Sequence, residues 1–429
     1  MSRLRVGLDA VAARAVVVDE ASRIVAFHRG VPGTGSPSRL LDALMAEVGA
    51  EAVDRVVAIL PEPVPADAGS PVGVLRIGGA TALPPLAGWP AETAGALAGP
   101  VATVRGGHEY DGTAAEPLDL AAVAEFARRC AGTVRAVAVA GVHGLENPDH
   151  EQRAAAVLAD VLGPDVPVRK GSETEAIGLL ERENTAVLDA ALAEFARIRI
   201  DALGAAVRKH NPAAELYLVR GDGTVLPEPA AQRHATACLG AARAASLHGA
   251  ARLAGVPAAV VAEATGRRTV VGTTRGGLLP ESGARREFGG VRIGSRLPRL
   301  TAVDRSMSLA EAVARARYGY DGLPVVLVGD RSLPDAIRLP DGDLAAAAGA
   351  AGAEAAGSVD RIFWQGSGGR EDSAVRARQL ARDAAIRAGA DPRTLRETPV
   401  KEALMTYVPV PAARLQATAV GPILEPAPL

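Results

Sequence analysis

His108, Glu109 and Asp111 crowd into Gly106-Gly107-His108-Glu109-Tyr110-Asp111-Gly112, the most polar short cluster of the sequence. An imidazole beside a carboxylate can bind a polar substrate or serve as a general base. The same residues also fit a plainer reading, a Gly-Gly turn and an Asp-Gly turn bracketing a short strand. Three nearby polar groups without a distant fourth ligand do not make a metal motif. His150-Glu151 follows Asn147-Pro148 and fits a capped helix start, with acidic groups favourable at its positive end. Glu181-Arg182-Glu183-Asn184 reads as a charged helix face, and Asp222-Gly223-Thr224 as a hairpin turn. Gly366-Ser367-Gly368-Gly369 lacks the Gly-Lys-Ser/Thr ending of a phosphate loop and reads as a linker.

The elements that must hold these groups follow from apolar spacing. Leu4–Asp9, Ala15–Asp19 and Ile24–His28 read as three strands. Ser38–Val48 reads as a helix, with Leu40, Leu41, Leu44 and Met45 at helical spacing, and Arg55–Leu60 as a returning strand. Residues 61–100, rich in Pro, Gly and Ala, read as an irregular connection. Asp119 caps a helix reaching Arg129, and Val134–Val142 is apolar enough for a buried parallel strand. Helices are expected over Glu173–Leu192 and Phe195–Lys209. The pattern then begins again. Glu215–Val219 is a strand, Ala241–Leu253 a helix, Ala258–Glu263 and Thr269–Gly272 a strand pair, and Pro324–Val328 a buried strand. Ala345–Ala356 reads as an Ala/Gly helix, Ala374–Ala388 as a helix stopped by Gly389, and Leu415–Val420 as a closing strand. Two blocks of short hairpin, helix and buried strand imply two related α/β halves.

The 429 residues allow two or three domains, and 48% hydrophobic content allows sizeable cores. A net charge of -2 gives no basic excess for nucleic acid. Cys130 and Cys238 belong to no C-x-x-C pair, which points to reduced buried thiols. No uninterrupted apolar span of about 20 residues and no leader pattern at MSRLRVGLD is visible, so no membrane segment and a cytoplasmic location are expected.

Several stretches, in order, resemble the hydantoinase A/5-oxoprolinase family. They are VRGGHEYDGTAAEPLDL, GVHGLENPDHEQR, IGLLERENTAVLDAALA, LYLVRGDGTVLP, ASLHGAARLAG, the run from Pro324 to Ile362, and the run from Ala385 to Gly421. The resemblance implies an α/β, two-lobed actin-like fold of the sugar kinase, heat-shock protein 70 and actin group. Two ribonuclease H-like halves would enclose a nucleotide cleft. It also implies ATP- and Mg-dependent opening of small cyclic amides such as hydantoins or 5-oxoproline, and a B-type partner subunit. The corresponding ranges are 1–180 for an N-terminal-like domain, 181–365 for a core-like domain and 366–429 for a C-terminal tail.

The departures from that family fall on the glycine loops. Where the family has Asp-x-Gly-Gly-Thr, this chain has Asp9-Ala10-Val11-Ala12-Ala13-Arg14, retaining Asp9. The second loop, Glu263-Ala264-Thr265-Gly266-Arg267-Arg268, retains only Glu263 and Gly266. Ala241-Ala242-Arg243, Asp304-Arg305-Ser306 and, after Gly329, Asp330-Arg331-Ser332 replace further glycine turns. Side chains there restrict close phosphate approach and penalise positive φ. Asp9, Glu263, Gly266 and Gly329 are thus remnants of nucleotide loops, with no cofactor expected, and Asp9, His108, Glu109 and Asp111 are the catalytic candidates. Arg14, Arg243, Arg267, Arg268, Arg305 and Arg331 either bind an anion in the old cleft or fill it, paired with Asp9, Glu263, Asp304 and Asp330. Function divides accordingly. One reading is a diverged hydrolase with a small-molecule ligand in the interlobe cleft. The other is a non-catalytic A-type subunit, pairing with a B-type homologue or with itself.

Overall fold

The computed structural model describes residues 3–32, 37–63, 70–79, 83–265, 268–276, 278–279, 287–304, 306–320, 322–364, 369–405 and 411–425. The chain starts as the spacing predicts. Strands β1 (Leu4–Asp9), β2 (Arg14–Val18) and β3 (Ile24–Arg29) form a meander, helix α1 (Pro37–Val48) crosses, and β4 (Val53–Ile59) returns parallel to β1. Leu40, Leu41, Leu44 and Met45 are the buried face of α1.

The next stretch corrects the expected irregular connection. Strand β5 (Val72–Ile77) is buried along its whole length, and helix α2 (Ala91–Leu97) leads into β6 (Ala98–Val104). Helix α3 (Leu120–Cys130), β7 (Ala136–Gly141), α4 (Asp149–Leu162) and β8 (Val168–Lys170) complete a four-stranded parallel sheet in the order β6-β5-β7-β8. A parallel strand covered on both faces shows no polar–apolar alternation, and Gly73 and Arg76 obscure this one further. Gly73 is needed because a side chain there would run into Cys130 Sγ and Val137. Asp119 caps α3 as expected, its carboxylate accepting from Ala122 N at 3.0 Å.

Helices α5 (Leu179–Ala191) and α6 (Ala193–His210) lead to β9 (Glu215–Val219) and β10 (Val225–Pro227). Helices α7 (Glu228–Arg233) and α8 (Ala241–Leu253) follow, then the hairpin β11 (Ala258–Thr265) and β12 (Arg268–Arg275). The small pair β13 (Glu287–Phe288) and β14 (Val291–Arg292) precedes β15 (Leu300–Val303), helix α9 (Leu309–Arg317), β16 (Val325–Gly329) and β17 (Ile337–Arg338). Helix α10 is shorter than the alanine run suggests. It covers Ala345–Ala351, stops at Gly352, and Ala355 already begins strand β18 (Ala355–Trp364). The tail is helix α11 (Gly369–Arg387) with β19 (Arg396–Glu397), β20 (Lys401–Leu404) and β21 (Ala412–Gly421). β21 pairs with β18 along its full length, and that pairing outweighs the helix propensity of the preceding alanines.

Two strand sets repeat one topology. β3-β2-β1-β4-β9 and β15-β12-β11-β16-β17 share the same order. In each, three antiparallel strands are followed by two parallel ones. What repeats is thus the strand order of two separate sheets. The first set continues through β10, β18 and β21 into a ten-stranded sheet, to which the ranges 1–180, 181–365 and 366–429 all contribute strands. Helix α10 packs on Val16 and Val18 of β2, and α8 packs on Ala259 and Val261 of β11. The two helices meet at Gly249 and Gly349, where added side chains would overlap the facing backbone carbonyls of Ala345 and Ala245. Among the described residues no helix is long and apolar enough to cross a membrane.

Candidate functional site

The turn joining β1 to β2 is built around Asp9. Its Oδ1 accepts from Val11 N and from Ala12 N, both at 3.0 Å. Ala13 adopts φ 57°, a left-handed conformation that favours glycine. Burial raises the Asp9 carboxyl above its ordinary value, and the two N–H donors work against that shift. Arg14 does not pair with Asp9. Its Nε donates to Asp343 Oδ2 at 2.7 Å, and its Nη1 donates to the carbonyls of Ala12, Ala13 and Gly30. Arg29 donates to the same Asp343 oxygen at 2.9 Å and to Asp341 at 2.6 Å. The expected arginine–carboxylate pairing is present at Arg14, but its partner comes from the segment before α10.

The other loop residues are placed separately. Glu263 lies in β11 opposite Val270, and Gly329 ends β16 beside Ala264 with φ 105°. Gly266, Arg267 and Arg305 lie outside the described residues, and Arg268 begins β12. Asp304 is occupied locally, accepting from Ser306 N and Oγ at 2.7 and 2.6 Å. Asp330 and Arg331 are exposed, their carbonyls accepting from Arg338. Arg243 is half-buried and makes no ion pair among the described residues.

The polar cluster at 108–111 does not converge on one site. His108 is buried and stacks on His150, ring centroids 4.2 Å apart. Gly107 N donates to His150 Nδ1 at 3.0 Å. Burial pulls both imidazoles below their ordinary value, His108 further through the neighbouring His150 charge. Glu109 and Asp111 are exposed, and Asp111 is used by Thr113, whose N and Oγ1 donate to it at 2.9 and 2.7 Å.

Helix α5 gives the largest surprise. The expected charged face at 181–184 is instead an interior seam, with Arg182, Glu183, Asn184, Thr185 and Asp189 all buried. Glu183 takes a bidentate pair from Arg76 of β5 at 2.6 and 2.7 Å. Asn184 accepts from Trp89 Nε1 at 2.8 Å and donates to the Arg292 carbonyl at 2.9 Å. Arg182 donates to the Gly141 carbonyl at 2.7 Å. Glu151, read as a helix-start acid, is also buried and accepts from Gly141 N and Ser172 N, both at 2.7 Å.

The seam ends in a cavity of about 80 Å³ lined by Glu175, Thr185, Asp189, Arg220, His234, Thr236, Ser295 and Arg296, among others. Glu175 bridges Arg220 at 3.0 Å and Arg296 at 2.8 Å. Burial alone pushes its carboxyl up, but the two guanidiniums more than offset this and hold it at about 2, against an ordinary 4.5. The folded value lies below the unfolded one, so this stabilisation is fully present above about pH 4.5 and is lost as pH falls towards 2. Glu175→Gln should therefore lower stability at neutral pH and narrow the gap to the parent protein across that acid window. Urea unfolding at a series of pH values measures this; a gap that stays constant with pH contradicts it.

None of the cavity side chains stood out in the sequence reading. Asp189, a lone carboxylate within the apolar run Val187-Leu188-Asp189-Ala190-Ala191, is the one that carried a signal. Cys130 and Cys238 are both buried and unpaired, and burial pushes their thiols to about 11 and about 12. Among the described residues no three His, Cys, Asp or Glu side chains gather as a metal set.

The mixed α/β fold is similar to those of two solved structures. The nucleotide-free structure of acetone carboxylase, from work on ATP-dependent acetone carboxylation, aligns over 100% of this chain and 89% of its own, with TM-score 0.65 and 12% identity. The ATP-dependent caprolactamase from Pseudomonas jessenii aligns over the same shares, with TM-score 0.65 and 15% identity. No curated protein sequence matches the chain. Residues 87–162 match the hydantoinase/oxoprolinase N-terminal region, and residues 182–266 match hydantoinase/oxoprolinase. Over those two stretches the chain is similar to the hydantoinase/oxoprolinase family.

Proposed function

We propose that this chain is a two-lobed, actin-like member of that family in which ATP-driven opening of small cyclic amides has lapsed. In this reading it serves as a non-catalytic A-type subunit for a B-type homologue. The repeated strand order supports the two ribonuclease H-like halves. The ranges 1–180, 181–365 and 366–429 then mark segments of descent that share one sheet.

One observation carries the loss of phosphate chemistry. A phosphate cradle offers unspent backbone N–H groups. In the β1–β2 turn the N–H groups of Val11 and Ala12 are already spent on the Asp9 carboxylate, an anion supplied by the chain itself. Arg14, the cation at the end of that turn, is committed to Asp343 and three carbonyls. The residues of this turn do not fit ATP and Mg, and no reaction step is assigned to them. The partner reading draws on β3, an edge strand leaving Ile24, Val25 and Phe27 exposed.

Millimolar Mg-ATP is expected to leave the thermal unfolding midpoint unchanged. A ligand at 100 times its Kd would stabilise the native state by about 2.7 kcal/mol, so a clear upward shift overturns the reading. Co-purification with a B-type homologue, lost in Phe27→Asp, supports the subunit role. Ring-opening activity of the isolated chain with ATP contradicts it.

A further inference from the structure

The cavity at the end of the α5 seam has donors without acceptors. The Arg220 side chain is only 10% exposed. Its Nη2 is taken by Glu175 at 3.0 Å and lies 3.7 Å from Asp222, but its buried Nε–H has no hydrogen-bond partner among the described residues. Leaving a charged donor unpaired in the interior is costly, and such an atom calls for an explanation. A second donor lies on the same wall lining. Ser295 Oγ donates to Thr236 Oγ1 at 3.0 Å, which leaves the Thr236 hydroxyl hydrogen to point elsewhere. Thr236 is fixed by its own N–H, which donates to Asp189 at 2.8 Å. The other Asp189 oxygen faces His234 Nδ1 at 3.5 Å, so a buried carboxylate orients an imidazole at the cavity edge.

Size narrows the ligand. About 80 Å³ is roughly half of the ~150 Å³ cavity that accepts benzene, which leaves room for roughly three to five non-hydrogen atoms. Chemistry narrows it further. The spare groups are donors, an Arg N–H and a hydroxyl, beside an imidazole that Asp189 orients. We propose that this cavity binds a small planar carboxylate-type oxyanion, with one oxygen taking the Arg220 Nε–H and the Thr236 hydroxyl and His234 completing the site. Formate, acetate and bicarbonate share this chemistry. The site stands apart from the ATP reading, because no residue of the β1–β2 turn lines it.

The test is calorimetric titration of the full chain with formate, acetate and bicarbonate, at constant ionic strength set by chloride. Acetamide, a neutral isostere of acetate, is the control. Saturable millimolar binding of at least one oxyanion is expected, with none for acetamide or chloride. Preference among the three separates a monocarboxylate ligand from bicarbonate. Thr236→Val and His234→Gln, which leave the Glu175 bridge intact, should each weaken binding by about tenfold, as loss of a hydrogen bond to a charged group predicts. Circular dichroism confirms that both variants are folded. Two results overturn the proposal: no oxyanion binds saturably, as when Arg220 Nε serves only an ordered water, or binding is unaffected by either substitution.

Discussion

Glu183→Ala is expected to cost about 3–5 kcal/mol of stability. Glu183 is fully buried and Arg76 retains 2% exposure. Their two hydrogen bonds, at 2.6 and 2.7 Å, tie central strand β5 to helix α5. Removing the acid leaves a guanidinium in the interior with, among the described residues, only the Leu83 carbonyl as compensation. The pair itself need not stabilise the fold relative to apolar residues, because both charges gave up water to form it. The double variant Arg76→Met with Glu183→Leu should therefore recover most of the loss. Urea unfolding separates the cases: a lower midpoint at unchanged slope for the single variant, near-parental behaviour for the double. A single variant within about 1 kcal/mol of the parent would contradict the assignment.

Gly249→Leu should be comparably severe. A Cβ at Gly249 would overlap the Ala345 carbonyl and Gly349 N, both backbone atoms of the facing segment that cannot move aside by changing rotamer. Helices α8 and α10 would have to separate, and with them the surfaces they cover on β11 and β2. Overpacking of this kind costs about 3 kcal/mol or more when no side chain can yield. Gly95, inside α2 with open space around it, supplies the control. Gly95→Ala should stabilise by about 0.5–1 kcal/mol. Thermal denaturation of the two variants side by side reads both signs. A neutral Gly249→Leu would show that the helices tolerate greater separation.

Much of the fold was legible because many elements obey a single period. Leu40, Leu41, Leu44 and Met45 announce α1, and β-branched residues mark the strands expected at 258–263 and 269–272. The failures have specific physical causes. β5 was hidden because a strand buried on both faces alternates nothing, and because its one arginine is neutralised by a glutamate far along the chain. Residues 181–184 read as a solvated face because sequence counts charges but cannot see that Arg76, Trp89 and the Arg292 carbonyl arrive to meet them. The candidate site was legible to a similar degree. Arg14 was expected to bind an anion or to pair with an acid of the old loops such as Asp9, and the acid it meets lies elsewhere. That the acid is Asp343 depends on how α10 docks against β2, which no local pattern encodes. The cavity around Arg220 is assembled from five separate stretches, so no single motif announces it.

The ten-stranded sheet also sets an order of assembly. The pairing of the parallel sheet is confined to residues 72–170, so it can close over short loops while later segments are still being made. The large sheet has no such freedom. Its centre joins Val225 to Ala355, and β18 then needs β21 for its other edge. Until the segment ending at Gly421 arrives, β18 presents an open edge beside an incomplete core, the kind of surface on which nascent chains aggregate. The last strand thus acts as a late lock on β18, and the yield of soluble protein should depend on how quickly the carboxyl-terminal segment docks.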